Sequence, residues 1–237
     1  MEKILREIGY ESERLDTYVV LLSAPLLLTL YRTRGSIESF SGWFPGLVNH
    51  PLSGLLAVIF QWCAFFLLVG LIPALYARLR RGVPLSGLGS GAGDLRFGLP
   101  LVVFALPFII IPIAYLSSRM PEIRAEYPMA RILFHRSDLV LWYELAYVLI
   151  YYTAWEFFFR GFLLFSLEKV FGGFNAVLVQ TISSSLVHIG KPESEILGSI
   201  VAGVVFGSLA LRTRSFWYGW LLHAAIGVSV DLFVLFL

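Results

Sequence analysis

Residues 151–169 read YYTAWEFFFRGFLLFSLEK, with Glu156 and Arg160 set one helical turn apart inside one of the most apolar stretches of the chain. An ionisable side chain near the bilayer centre costs at least ~2.5–3.5 kcal/mol, so it is retained where it faces a bundle interior and does work there. At i and i+4 the two share a helix face and can pair. His188 and His223 lie in or at the ends of later apolar segments, and Asp231 and Glu144 are the next candidates. A carboxylate with two imidazoles suits two chemistries. The carboxylate can act as a general base on water while the histidines orient the water or stabilise an oxyanion. Alternatively, all three can ligate zinc and keep a water position open. No HExxH spacing is present to select the second, and both stay open on residue types alone.

The elements that must position these groups are helices in a membrane. The chain has 237 residues, 58% hydrophobic and only 14% charged, with a mean hydropathy of +0.79. A soluble domain carries about a quarter charged residues, so a polytopic membrane protein is expected. Apolar segments run over 17–31, 52–77, 98–117, 139–165, 174–189, 195–211 and 216–237. Their unbroken apolarity fits helices and not alternating strands. The expectation is all-α: a single membrane domain over 1–237, a bundle of about seven to eight transmembrane helices. Residues 82–97, rich in Gly and Ser, read as a flexible connection, and 118–138, with four arginines and two prolines, as a segment along the interface. A small excess of Lys and Arg places the N-terminus inside. The leader MEKILREIGYESERLD lacks a cleavage site, so no signal peptide is expected. Scattered arginines serve topology and predict no nucleic-acid partner. The single Cys63 excludes an internal disulfide and any CxxC site.

At ~1.5 Å per residue, Glu156, His188 and His223 lie roughly 20, 22 and 14 Å from loops expected on one side of the membrane. Three helices therefore bring the carboxylate and both imidazoles to similar depth.

The stretches EFFFRG at 156–161, SSSLVHIGKPESE at 183–195 and GVVFGSLALRTRSFWYGWLLH at 203–223, followed by AAIGVSVD, resemble the CPBP family. These are CAAX-processing and bacteriocin-processing intramembrane endopeptidases related to the type II CAAX prenyl protease. The resemblance covers residues 139–237, while 1–138 match as additional membrane helices. It implies a helix bundle around a polar intramembrane cavity, and peptide-bond hydrolysis by glutamate-activated water. The implied substrate is a membrane-associated peptide or protein bearing a CAAX-like or C-terminal anchor signal. On the matching positions it implies Glu156 as base, Arg160 fixing it, and His188 and His223 orienting water and oxyanion. No cofactor is implied, though a divalent metal such as zinc is not excluded.

Three positions depart from the family pattern. Trp155 stands where relatives carry the first, water-activating glutamate of an adjacent pair. Ser184 replaces a phenylalanine four residues before the histidine, and Gly227 replaces an asparagine four residues after His223. A single remaining glutamate makes the motif similar to the myxosortase-like branch. Asp231, two turns after His223, is a candidate second acid–base group. The lost glutamate and asparagine also motivate an alternative: a catalytically degenerate membrane protein acting as an immunity or assembly factor. A proton-coupled carrier is disfavoured, because the sequence shows no repeated halves. Gly203 and Gly207 predict close helix packing. Trp43, Trp142, Trp217 and Trp220 predict interfacial anchors, and Phe157, Phe158 and Phe159 lipid-facing or packing positions.

Overall fold

A computed structural model describes residue 7 and residues 9–237; the leader reading that starts at Met1 falls partly outside these described residues. Among the described residues, six helices are long and apolar enough to cross a membrane: α1 (Ser12–Arg34), α2 (Ser53–Arg80), α3 (Leu95–Ser117), α4 (Ser137–Phe171), α6 (Glu193–Thr213) and α7 (Trp217–Phe236). A shorter apolar helix, α5 (Gly173–Val187), lies between α4 and α6. The protein is thus an all-α, multi-pass integral membrane protein. The expected segments correspond to these helices, with α5 too short to be a full span.

Burial ranks the helices. The outer faces of α1, α3 and α6 present Leu, Ile, Val and Phe outward, as lipid contact requires, since tails are as apolar as the side chains. In α4, by contrast, every residue from Ala154 to Leu167 is buried. Phe158 and Phe159 are fully enclosed, which settles the triplet as packing and not lipid-facing. Glu156 sits between two π-helical turns, Tyr147–Tyr152 and Phe157–Leu163, a distortion that occurs preferentially at working positions of helices.

Three of the helix boundaries have an identifiable cause. Asp94 caps α3 by accepting from the Phe97 N–H at 3.2 Å; Arg212 hydrogen-bonds the same carboxylate and holds it below the ordinary aspartate range. Gly172, at φ 79°, makes the tight turn from α4 into α5. Glu193 and Glu195 sit in the first turn of α6, where the helix dipole favours negative charge.

The packing motif at Gly203 and Gly207 behaves as expected. A Cβ on Gly203 would come within 2.7 Å of Thr181, and one on Gly207 within 2.6 Å of Gln180 Nε2. The close approach lets Gln180 donate to the Gly203 carbonyl at 2.8 Å, tying α6 to the helix that ends at His188. Trp43 and Trp142 are largely exposed, as anchors should be. Trp217 and Trp220 are instead partly buried and bonded inside the bundle.

The Gly-rich stretch 82–97 departs from its flexible reading. Trp217 Nε1 donates to the Ser90 carbonyl at 2.8 Å, the Tyr218 hydroxyl to that of Ala92 at 2.6 Å, and Phe216 N–H to that of Gly89 at 3.0 Å. Gly89 and Gly93 serve close approach, to the Phe165 ring and the Thr213 carbonyl. Gly161, next to Arg160, admits the Leu88 carbonyl so closely that an added Cβ would lie 2.9 Å from it. The loop thereby clamps the start of α7 and sets the depth of His223. Gly98 on α3 lies under the Tyr218 ring, and a Cβ there would overlap it. Gly98→Ala is therefore expected to cost about 1–3 kcal/mol, read as a lower thermal unfolding midpoint in detergent.

Candidate active site

α7 carries Gly219, His223 and Gly227 at successive turns, so one face reads small, imidazole, small. That face packs on α4. Trp220 Nε1 donates to Thr153 Oγ1 at 3.1 Å, and a Cβ on Gly219 would come 3.1 Å from Glu156 Oε2. The two glycines let the helices approach until side chains meet across the seam.

At that seam His223 Nδ1–H donates to Glu156 Oε1 at 2.7 Å. Arg160 Nη1 lies 3.4 Å from the same oxygen, an ion pair in which Arg160 is 2% and Glu156 0% exposed. It lacks hydrogen-bond geometry: Arg160 Nε and Nη1 and Glu156 Oε2 have no hydrogen-bond partner. The arginine supplies charge more than directional bonding, and the imidazole supplies the bond. With Nδ1 committed to the carboxylate, the neutral ring keeps Nε2 unprotonated as a base.

His188 caps the C-terminal end of α5, and its Nδ1 lies 2.9 Å from the Ser184 carbonyl. A carbonyl can only accept, so Nδ1 carries the proton and Nε2 is again free. Ser184, which departs from the family pattern, contributes its backbone here; its hydroxyl bonds the Thr181 carbonyl.

Trp155 stands between the two histidines. Its ring is 5.1 Å from that of His188 and 5.9 Å from that of His223, edge to face in both cases. The position at which relatives carry their first glutamate is therefore at the centre of the site, and here it is filled by an indole. Among the described residues no three His, Cys, Asp or Glu side chains are grouped so as to hold a metal ion. Glu156 is engaged by Arg160 and His223.

His188 and His223 line a cavity of about 950 Å³ between α3, α6 and α7, which Tyr147 and Tyr152 of α4 also line. Its walls are mostly aliphatic and aromatic. Glu156 and Arg160 are not among the lining residues: they stand behind His223. Asp231 is fully buried, both carboxylate oxygens lack a hydrogen-bond partner, and it bonds none of the other candidates.

Two cavity-lining groups escaped the sequence reading. Glu195 is the one carboxylate among the described lining residues, and its Oε1 accepts from the Tyr127 hydroxyl at 2.8 Å. It lay inside a quoted motif, in PESE, but in an interfacial turn where a glutamate draws no attention. Tyr152 is one turn before Glu156; that spacing was a usable signal, masked by the surrounding run of aromatics.

No curated protein and no solved structure matches the chain. Residues 137–229 match the family model of the type II CAAX prenyl endopeptidase Rce1-like proteins, and the recognition carried by the three motifs holds over that stretch, from the start of α4 into α7.

Proposed function

We propose that the protein is an intramembrane endopeptidase that hydrolyses a peptide bond in a membrane-associated peptide or protein. The substrate class is a CAAX-like or C-terminal anchor signal. The observation that carries the reading is the 2.7 Å bond from His223 Nδ1–H to the buried Glu156 carboxylate, at the wall of a cavity that His188 also lines.

In this reading Glu156 activates water through His223. His223 Nε2 takes a proton from a water in the cavity while the water oxygen adds to the scissile carbonyl carbon. Glu156 stabilises the imidazolium that forms, and Arg160 holds Glu156 in place. His188 Nε2 accepts from the same water and orients it. The imidazolium then gives its proton to the leaving nitrogen, the C–N bond breaks, and an acid and an amine depart. Asp231 is given no step. The apolar walls suit a lipid-like or transmembrane substrate segment, and no nucleic acid or cofactor has a part in the scheme.

The test uses purified protein in liposomes with two probes, a farnesylated CAAX peptide and a single-span protein with a C-terminal anchor, cleavage being read by mass spectrometry. His223→Ala is expected to lower the rate of the cleaved probe at least ~10³-fold while the folded fraction is unchanged. Cleavage by His223→Ala at the wild-type rate would overturn the assignment.

Trp155 favours one second reading, that of a degenerate member of the scaffold serving as an immunity or assembly factor, because an indole fills the centre of the site. In that case wild type and His223→Ala behave alike: neither cleaves, and both support the same cellular function.

A further inference from the structure

The seam between α4 and α7 sets one turn of α4 against two turns of α7. Glu156 lies against Gly219, and Tyr152, one turn earlier on α4, reaches Gly227. A Cβ added to Gly227 would overlap the Tyr152 hydroxyl oxygen. The phenol thus occupies the volume in which a side chain of residue 227 would begin. Residues four apart on a helix have Cβ positions about 5–6 Å apart, so this hydroxyl stands within reach of a group attached beside His223. The Tyr152 ring meets the His223 ring edge to face at 4.7 Å and is braced from behind by Tyr147 at 4.5 Å. Tyr152 is 4% exposed, and it is part of the cavity wall that includes His188 and His223.

Resting on the peptidase reading above, we infer that Tyr152 is a catalytic residue, the donor that stabilises the oxyanion. When water adds to the scissile carbonyl, the carbonyl oxygen gains the negative charge. The Tyr152 O–H donates a hydrogen bond to that oxygen and keeps its proton throughout. The carbonyl re-forms when the C–N bond breaks, and the hydrogen bond weakens again. A donor held in an apolar, packed setting before the charge develops needs no reorganisation when the charge appears. Gly227 is the enabling residue: only without a Cβ at this position can the phenol lie across α7 beside His223. The reaction needs both a base and an oxyanion donor, and α4 then supplies to α7 the carboxylate for the one and the hydroxyl for the other.

The experiment compares wild type, Tyr152→Phe and Gly227→Ala in the liposome assay above, with the same two probes. Tyr152→Phe keeps the ring and its packing and removes only the donor. The expected result is a fall in kcat of about 10²–10³-fold. KM and the pH profile of kcat should be unchanged, because the His223–Glu156 pair is left intact. Gly227→Ala retains the hydroxyl but displaces it, and is expected to lose activity to a similar degree. Combining Tyr152→Ala with Gly227→Asn puts an amide N–H in the same notch and should recover part of the loss. A Tyr152→Phe protein that keeps kcat within about tenfold, or whose pH profile shifts, overturns the inference while leaving the peptidase reading intact. A wild-type protein that cleaves neither probe removes both.

Discussion

Glu156→Gln is expected to lower kcat on the order of 10⁴-fold with little change in KM, the size of effect seen when an orienting carboxylate beside a catalytic imidazole becomes an amide. The geometry gives the reason. Glu156 touches His223 Nδ1 at 2.7 Å and stands behind the cavity wall, so it acts on the water only through the ring. A glutamine offers two arrangements there. With its oxygen toward Nδ1 it keeps the tautomer but cannot stabilise the imidazolium. With its nitrogen toward Nδ1 it forces the proton to Nε2 and removes the base. The variant also leaves Arg160 without an anion, so the rate is measured per folded molecule, with the thermal midpoint alongside. The companion variant is Glu195→Gln. Its carboxylate is the one that lines the cavity among the described residues, and it should keep most of its activity. Loss in Glu195→Gln with activity kept in Glu156→Gln would move the water-activating role to α6.

What the sequence allowed and what it hid have physical causes. The helices were legible because a membrane imposes length and apolarity on every span, so the segments around α2, α3, α4, α6 and α7 announce themselves. The meeting of Glu156 with Arg160 and His223 was legible because charge in such segments is costly, Arg160 lies one turn from Glu156, and Glu156 counts to a depth similar to that of His188 and His223. Three features were hidden, each depending on a neighbour distant in sequence. Residues 82–97 look flexible because Gly and Ser lack side-chain partners. Here, however, their carbonyls accept from Trp217, Tyr218 and Phe216. Glycine at 161 and 98 then serves contact and not mobility. Trp155 looked like a missing group, but its ring packs edge to face against both histidines. Gly227 looked like a missing donor, but it is the gap that Tyr152 fills. Local pattern records what a residue is; it does not record which side chain arrives from another helix.

Arg160→Met is expected to destabilise the protein by about 3–5 kcal/mol, because it leaves the Glu156 carboxylate buried without its counter-charge. Glu156→Leu should cost a comparable amount by stranding the guanidinium. The double variant Arg160→Met/Glu156→Leu should lie well above either single variant and near wild type, since replacing a whole buried pair by apolar side chains is close to neutral. The coupling read from that cycle should approach the sum of the two single losses, because the double variant loses almost nothing. This prediction follows from how poorly the pair is bonded. Both side chains are at most 2% exposed and 3.4 Å apart, yet Arg160 Nε, Nη1 and Glu156 Oε2 lack hydrogen-bond partners. Helix packing alone would be better served by apolar residues at both positions, as the surrounding Phe158, Phe159 and Leu163 show. The pair is then kept for what the carboxylate does to His223. The double variant separates the two roles, because it should be stable and should not cleave. Unfolding midpoints in detergent for the four proteins of the cycle provide the check. Additive losses, with the double variant least stable of all, would mean that Arg160 and Glu156 are not coupled and that the charge on Glu156 is supported by something else.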